Sequence, residues 1–122
     1  MPFLMVSSME TKHVLAALAA LAQESRLAIF RLLIQAGPSG LPAGKIGEEL
    51  GIASSALSFH LKELSHAGLA TARQEGRFVI YTAQFDTMSE LVGFLTENCC
   101  AGVPCGIDAP GGVCRPAPTA RP

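Results

Sequence analysis

The sequence predicts a mainly α-helical domain with one β-hairpin, an α+β fold in the order α-α-α-α-β-β-α. Three observations predict it. Before Gly68, apolar residues recur at helical spacing in four separate stretches. The segment LATARQEGRFVIYTA then alternates like two strands around a glycine. One more helical stripe follows, and after Asn98 the chain turns rich in glycine and proline.

Each element has its own local reason. In ETKHVLAALAALA, Val14, Leu15, Leu18 and Leu21 stand among alanines, the best helix formers. This first helix is apolar almost all round, so it is expected to be buried. The second, ESRLAIFRLLIQAG, repeats Leu27, Phe30 and Ile34, and Gly37-Pro38 ends it. The third, in SGLPAGKIGEELG, takes Pro42 in its first turn, carries Ile46 and Leu50 as its stripe, and closes on Gly51. The fourth, IASSALSFHLKELSHAGL, has Ser54 as its expected N-cap and Leu57, Leu61 and Leu64 at i, i+4, i+7, with Gly68 stopping it. Gln74-Glu75-Gly76-Arg77 forms the hairpin turn. In FDTMSELVGFLTEN, Asp86 is the expected cap and Met88, Leu91, Val92 and Leu95 the stripe.

A chain of 122 residues is one domain of ordinary size plus a tail. Apolar residues make up 49% and charged residues 16%, which excludes a wholly disordered chain. No apolar run approaches the ~20 residues of a membrane-spanning helix. The N-terminus MPFLMVSS lacks a basic region and a cleavage site, so a cytoplasmic protein without a secretory signal is expected. Three parts are expected: a flexible extension over 1–8, a folded domain over 9–98, and a cysteine-containing tail over 99–122. Within that tail, 106–122 hold too little apolar surface to offset the entropy of ordering.

Net charge is −1, so any contact with a polyanion must be local. Residues 54–81 carry Lys62, Arg73 and Arg77 against Glu63 and Glu75, while 82–98 carry only acids, Asp86, Glu90 and Glu97. The third and fourth helices, joined by a tight glycine turn, have the spacing of a helix-turn-helix. Burying Leu57, Leu61 and Leu64 leaves Ser54, Ser55, Ser58, Phe59 and Lys62 outward. Small hydroxyl residues let a helix approach base edges and phosphates, and a cation one turn later reaches a phosphate. His60 either supports this helix or touches DNA. Arg73 and Arg77 flank the hairpin glycine as a basic tip. The spacing fits equally an ordinary antiparallel helix pair with serines in solvent.

The stretches LAALAQESRLAIFRLL and SSALSFHLKELSHAGLATARQEGRFVIYTA resemble the ArsR/SmtB family of winged helix-turn-helix metalloregulators. The resemblance covers roughly residues 9–98 and starts at Met9, which leaves 1–8 as an extension. It implies a homodimer paired mainly through the first and last helices. It also implies a repressor that binds an imperfect inverted repeat of double-stranded DNA and leaves it when an inducer binds.

All 4 cysteines, Cys99, Cys100, Cys105 and Cys114, follow the last helix. The family's C-x-C arsenic pattern beside the third helix is missing here. Its His/carboxylate pattern lacks a histidine in the last helix. A third pattern, with vicinal cysteines just past the last helix, is matched by NCCAGVPC. It implies As(III) or Sb(III) on Cys99, Cys100 and Cys105, with Cys114 as an extra or substitute ligand and no organic cofactor. The chemistry agrees: soft thiolates select thiophilic centres, and trivalent arsenic forms three pyramidal bonds. Gly102 and Pro104 favour the turn that folds Cys105 back. Other readings stay open: a zinc or cadmium sensor, a redox sensor, a methylated trivalent arsenical held by Cys99 and Cys100 alone, or thiols without a role. A thiol enzyme is disfavoured, because no cation or helix N-terminus activates these cysteines.

Overall fold

A computed structural model describes residues 10–102. The expected N-terminal extension and most of the tail, with Cys105 and Cys114, lie outside the described residues. Five helices form: α1 (Thr11–Leu21), α2 (Glu24–Ala36), α3 (Ala43–Leu50), α4 (Ser54–His66) and α5 (Phe85–Leu95). Three strands join them: β1 (Leu41–Pro42), β2 (Ala70–Glu75) and β3 (Phe78–Ala83). The sheet is antiparallel in the order β1-β3-β2. This is a winged helix-turn-helix, mostly helical with a hairpin wing.

The core forms where the helices converge on the base of the hairpin. Ile29 and Leu33 of α2, Ile46 of α3, Leu61 and Leu64 of α4, and Leu69 before β2 are fully enclosed. Each contributes about 1.5–3 kcal/mol by leaving water. No charged or polar residue is buried with them among the described residues. The α4 stripe Leu57, Leu61, Leu64 is buried as expected.

Glycines set the ends. Gly51 closes α3 in the left-handed region at φ 67°. After α4, the Gly68 N–H donates to the Ser65 carbonyl (3.0 Å) and the Leu69 N–H to the Leu64 carbonyl (2.9 Å). That is a Schellman closure, sealed by the apolar pair Leu64 and Leu69.

Several expectations are corrected. Strand β1 was not foreseen. Its two residues pair with Tyr81 and Ile80, and Pro42 is tolerated because the strand is an edge. The hairpin turn is tighter than expected, with only Gly76-Arg77 between the paired Glu75 and Phe78. Ser54 and Asp86 are not caps. Ala53 and Gln84 hold those positions, and neither helix start has a side-chain cap bond.

The apolar stripes of three helices also shift. α1 buries Val14, Ala17 and Ala20 and leaves Leu15 and Leu18 exposed, so it is not buried all round. α2 buries Ile29, Phe30 and Leu33 and exposes Leu27. α5 buries Leu91, packs Phe85, Met88 and Phe94 against the core, and exposes Val92 and Leu95. A helix apolar on several faces has no single stripe to read. The surface it packs against decides which face goes in.

Gly40 brings the α2–β1 connection against β3 at φ 70°, where a Cβ would fall on the Tyr81 carbonyl and 2.7 Å from Thr82 Oγ1. Gly44 in α3 has open space around it. Gly40→Ala is therefore expected to lower unfolding free energy by about 1–3 kcal/mol. Gly44→Ala should raise it by about 0.4–1 kcal/mol. Urea denaturation of the two variants checks both signs.

Candidate nucleic-acid interface

The interface is built by exclusion. α4 turns Leu57, Leu61 and Leu64 inward, so its other face must meet solvent. Ser55, Ser58, Phe59 and Lys62 are exposed on that face, and Ser54, on the stripe's own side, is exposed in the first turn. Gly47 makes the close approach of α3 possible, because a Cβ there would lie 3.0 Å from the Ile52 carbonyl and 3.2 Å from Leu57 Cδ2. With no side-chain cap, the first amide groups of α4 stay free at the positive end of the helix dipole. An anion fits there.

Phe59 is 55% exposed and meets the His60 ring edge-on, with centroids 5.7 Å apart. His60 is half-buried, and its Nδ1 lies 3.3 Å from Arg26 Nη1. The same guanidinium donates through Nε to the Ala20 carbonyl at 2.7 Å. The Arg26 N–H donates to Gln23 Oε1, which caps α2, at 2.9 Å. Sequence reading missed Arg26. It shares the first turn of α2 with Glu24, among Leu27, Ile29 and Phe30, and nothing local points to a partner 34 residues away.

The two wing arginines part company. Arg77 occupies the turn and is exposed. Arg73 lies mid-strand, opposite Ile80. It donates to Glu75 Oε2 (2.6 Å), Thr82 Oγ1 (3.1 Å) and the Ser39 carbonyl (2.9 Å). Three of its five N–H groups are thus used, two within the wing and one tying the wing to the connection after α2.

At the far end of the domain, Thr96 Oγ1 donates to the Val92 carbonyl at 2.8 Å, and the Cys99 N–H donates to the Thr96 carbonyl at 2.9 Å. Cys99 and Cys100 open a 3₁₀ turn, Cys99–Gly102. Asn98, Cys100 and Ala101 stand in the left-handed region at φ 56–57°. Cys99 is half-buried and Cys100 exposed. Lost water contact, then the neighbouring Cys100, hold the Cys99 thiol above its ordinary value, and the two side chains share a hydrogen bond. Among the described residues no three His, Cys, Asp or Glu side chains converge as a metal site. No described helix is long and apolar enough to cross a membrane.

A buried helix-turn-helix with an exposed polar reading face and a hairpin wing defines a DNA-binding transcriptional regulator, not an enzyme. Comparison with known proteins agrees. A family described as a helix-turn-helix domain matches residues 21–73. The uncharacterized HTH-type transcriptional regulator YceK of Bacillus subtilis is 40% identical over 77 residues, 62% of this chain and 76% of that protein. The structure of HlyU from Vibrio cholerae N16961 is 34% identical, covering 71% of this chain and 97% of that one at a TM-score of 0.57. An ArsR-like transcriptional regulator from Rhodococcus sp. RHA1 shares the fold at a TM-score of 0.63 and 24% identity, over 75% of this chain and 82% of that one. The chain belongs to the ArsR family of winged helix-turn-helix regulators.

The arginines are expected to separate in solution. Arg77→Ala should weaken binding to all duplexes alike and reduce the salt slope by about 1, read by fluorescence anisotropy across salt concentrations. Arg73→Ala should instead cost about 1 kcal/mol of stability, since its network is exposed, read by thermal unfolding. For Cys99, a raised thiol value means less thiolate at neutral pH. Its alkylation by iodoacetamide should be slow at pH 7 and keep rising past the pH where a free thiol levels off. Cys100→Ser should speed it at pH 7. Peptide mapping of the labelled protein checks both.

Proposed function

We propose that this regulator is a homodimeric repressor, released from its operator when trivalent arsenic or antimony bonds Cys99, Cys100 and Cys105. The observation that carries the reading is the position of the thiols. Cys99 and Cys100 come after α5 with only Thr96, Glu97 and Asn98 between, and α5 exposes Val92 and Leu95 while it packs on α1. α1 exposes Leu15 and Leu18 in turn. A pair of helices with four large apolar side chains in water suits subunit pairing.

The dimer then presents two copies of α4. Their spacing must match successive major grooves, about 34 Å apart. Ser54, Ser55 and Ser58 lie against the duplex, Phe59 meets a thymine methyl or sugar, and Lys62 and Arg77 hold phosphates. His60 stands half-buried at the edge of this face, tied to Arg26.

Thiolates suit a soft, lone-pair element, and bonding must displace the thiol protons because a helix C-terminus does not favour thiolates. Cys99 and Cys100 already contact each other, so both can bond one external atom. Cys105, outside the described residues, supplies the third sulfur, and Cys114 is an extra donor. Anchoring the chain at the end of α5 biases the helix that pairs the subunits, and with it the separation of the reading heads. A coupling of about 1–3 kcal/mol weakens DNA binding up to about a hundredfold.

The contact between the vicinal thiols also favours a second inducer, a methylated trivalent arsenical needing only two sulfurs. Arsenite titrated against the reduced protein on a labelled promoter fragment is expected to release it. Cys99→Ser with Cys100→Ser should abolish release, and release unchanged in that double variant would falsify the site. Cys105→Ser should spare only the methylated inducer. Release by zinc or by peroxide, with arsenite inert, would replace the reading with a zinc or redox sensor. Separately, Leu95→Glu should convert the dimer to a monomer by sedimentation and weaken operator binding by at least about tenfold, since a monomer engages one half-site.

A further inference from the structure

We infer that Arg26 is a positioning residue for DNA reading. It clamps α4 to the end of α1 and holds His60 in its Nε2–H form, with Nε2–H as a donor to an operator phosphate. The inference rests on the reading of α4 as the helix that meets DNA.

The chemistry of the pair dictates the tautomer. A guanidinium has five donors and no acceptor. The His60 Nδ1 facing it at 3.3 Å must therefore be the lone-pair nitrogen, and the ring proton sits on Nε2. That Nε2–H finds no acceptor among the described residues, while the ring stands half-buried against exposed Phe59, on the helix that also exposes Lys62 two residues on. A phosphate oxygen is the acceptor a duplex offers at such a helix.

The other end of the clamp is equally specific. Ala20 lies in the last turn of α1, where carbonyls lack a helical partner and carry partial negative charge. Arg26 Nε takes that carbonyl at 2.7 Å. The backbone of Arg26 is itself pinned by the Gln23 cap. One side chain, held at its root, thus spans α1, α2 and α4.

Between α1 and the second half of α4 runs a groove of about 280 Å³ lined by four alanines together with Arg26, Glu63 and His66. The alanines interlock little, so the polar bridge of Arg26 adds a specific tie there to the packing of Leu61 and Leu64.

The experiment measures the full-length protein. Long-range ¹⁵N correlation spectra of wild type should show His60 as Nε2–H, and Arg26→Gln should turn it into a mixture of tautomers. By anisotropy, well below its unfolding temperature, Arg26→Gln should bind operator about tenfold to a hundredfold more weakly. His60→Asn keeps an acceptor for Arg26 and an outward N–H, and should stay within about threefold of wild type. His60→Leu should fall as far as Arg26→Gln. An Nδ1–H ring in wild type, or wild-type affinity in Arg26→Gln, overturns the inference. Should Arg26→Gln unfold, the wild-type spectrum and Arg26→Lys, which cannot fork between two acceptors, decide it. The triple variant Ser54→Ala, Ser55→Ala, Lys62→Ala separates the two failures. Undiminished binding there sinks the reading of α4 itself, whereas a loss there beside a silent Arg26→Gln sinks only the clamp.

Discussion

The burial of Leu57, Leu61 and Leu64 is the constraint on which the rest of this molecule depends. Those three side chains lie on one stripe of α4 and enter the same core as Ile29, Leu33 and Ile46. Each is worth about as much as a strong hydrogen-bond network, because a fully buried leucine contributes about 1.5–3 kcal/mol. Once they are inside, a helix has no freedom left over which residues face out. Ser55, Ser58, Phe59 and Lys62 are displayed because 3.6 residues per turn puts them away from the stripe, whereas Ser54, three residues before Leu57, lies on the stripe's own side and is exposed by its place in the first turn. The reading face therefore follows from the core. The glycines at 47, 51 and 68 serve the same end, two by closing helices and one by letting α3 come close.

That constraint explains why this part of the molecule was legible in the sequence. One clean apolar stripe and two helix-ending glycines leave little choice of arrangement. The outer helices were harder. α1 is nearly all apolar, so its periodicity could not say whether Leu15 or Ala17 goes inward, and small alanines won the core side. In α5 the aromatic residues Phe85 and Phe94 took core positions that the spacing had assigned to Val92 and Leu95. Strand β1 escaped notice because two residues carry no alternation. It exists because Gly40 lets the chain lie against β3. Long-range polar pairs left no trace in local sequence. Arg26 with His60, and Arg73 with Ser39, are each separated by 34 positions. Arg73 looked like a basic tip because it stands near Gly76. In the fold its strand register turns it back toward the body of the protein.

Charge follows the same division of labour. A net charge of −1 gives no global attraction to DNA, yet DNA recognition does not require one. Counterion release depends on the cations within reach of phosphates, and here Lys62, Arg77 and the free amide end of α4 share one side of the domain's sequence, residues 54–77. The acids Asp86, Glu90 and Glu97 belong to α5 and its exit. Lost water contact and the neighbouring Cys100 hold the Cys99 thiol toward its protonated form, which is a poor nucleophile and a poor ligand for hard cations. Only a centre that bonds sulfur strongly enough to expel its protons can use it. On the proposed function, the same feature that makes Cys99 a poor nucleophile would make it selective.

The remaining question is how an event beside Cys99 could be felt at Ser54, at the opposite end of the reading helix. α5 packs on α1, and α1 packs on α4. Packing alone is a weak argument for coupling, since every small domain has a chain of contacts between any two points. What distinguishes this route is the character of its last link. Along most of α4 the contacts are interlocked leucines, which have one good arrangement. At the end of α1 they are alanines around a groove, and a forked polar bridge spans the gap. A bridge of two hydrogen bonds to a backbone carbonyl and a ring nitrogen has two arrangements, made and broken, separated by little energy. An element of that kind can be biased by a modest displacement of α1, whereas a close-packed leucine seam resists it. If the domain has a place where movement of the pairing helices becomes movement of the reading helix, the physical chemistry puts it at Arg26.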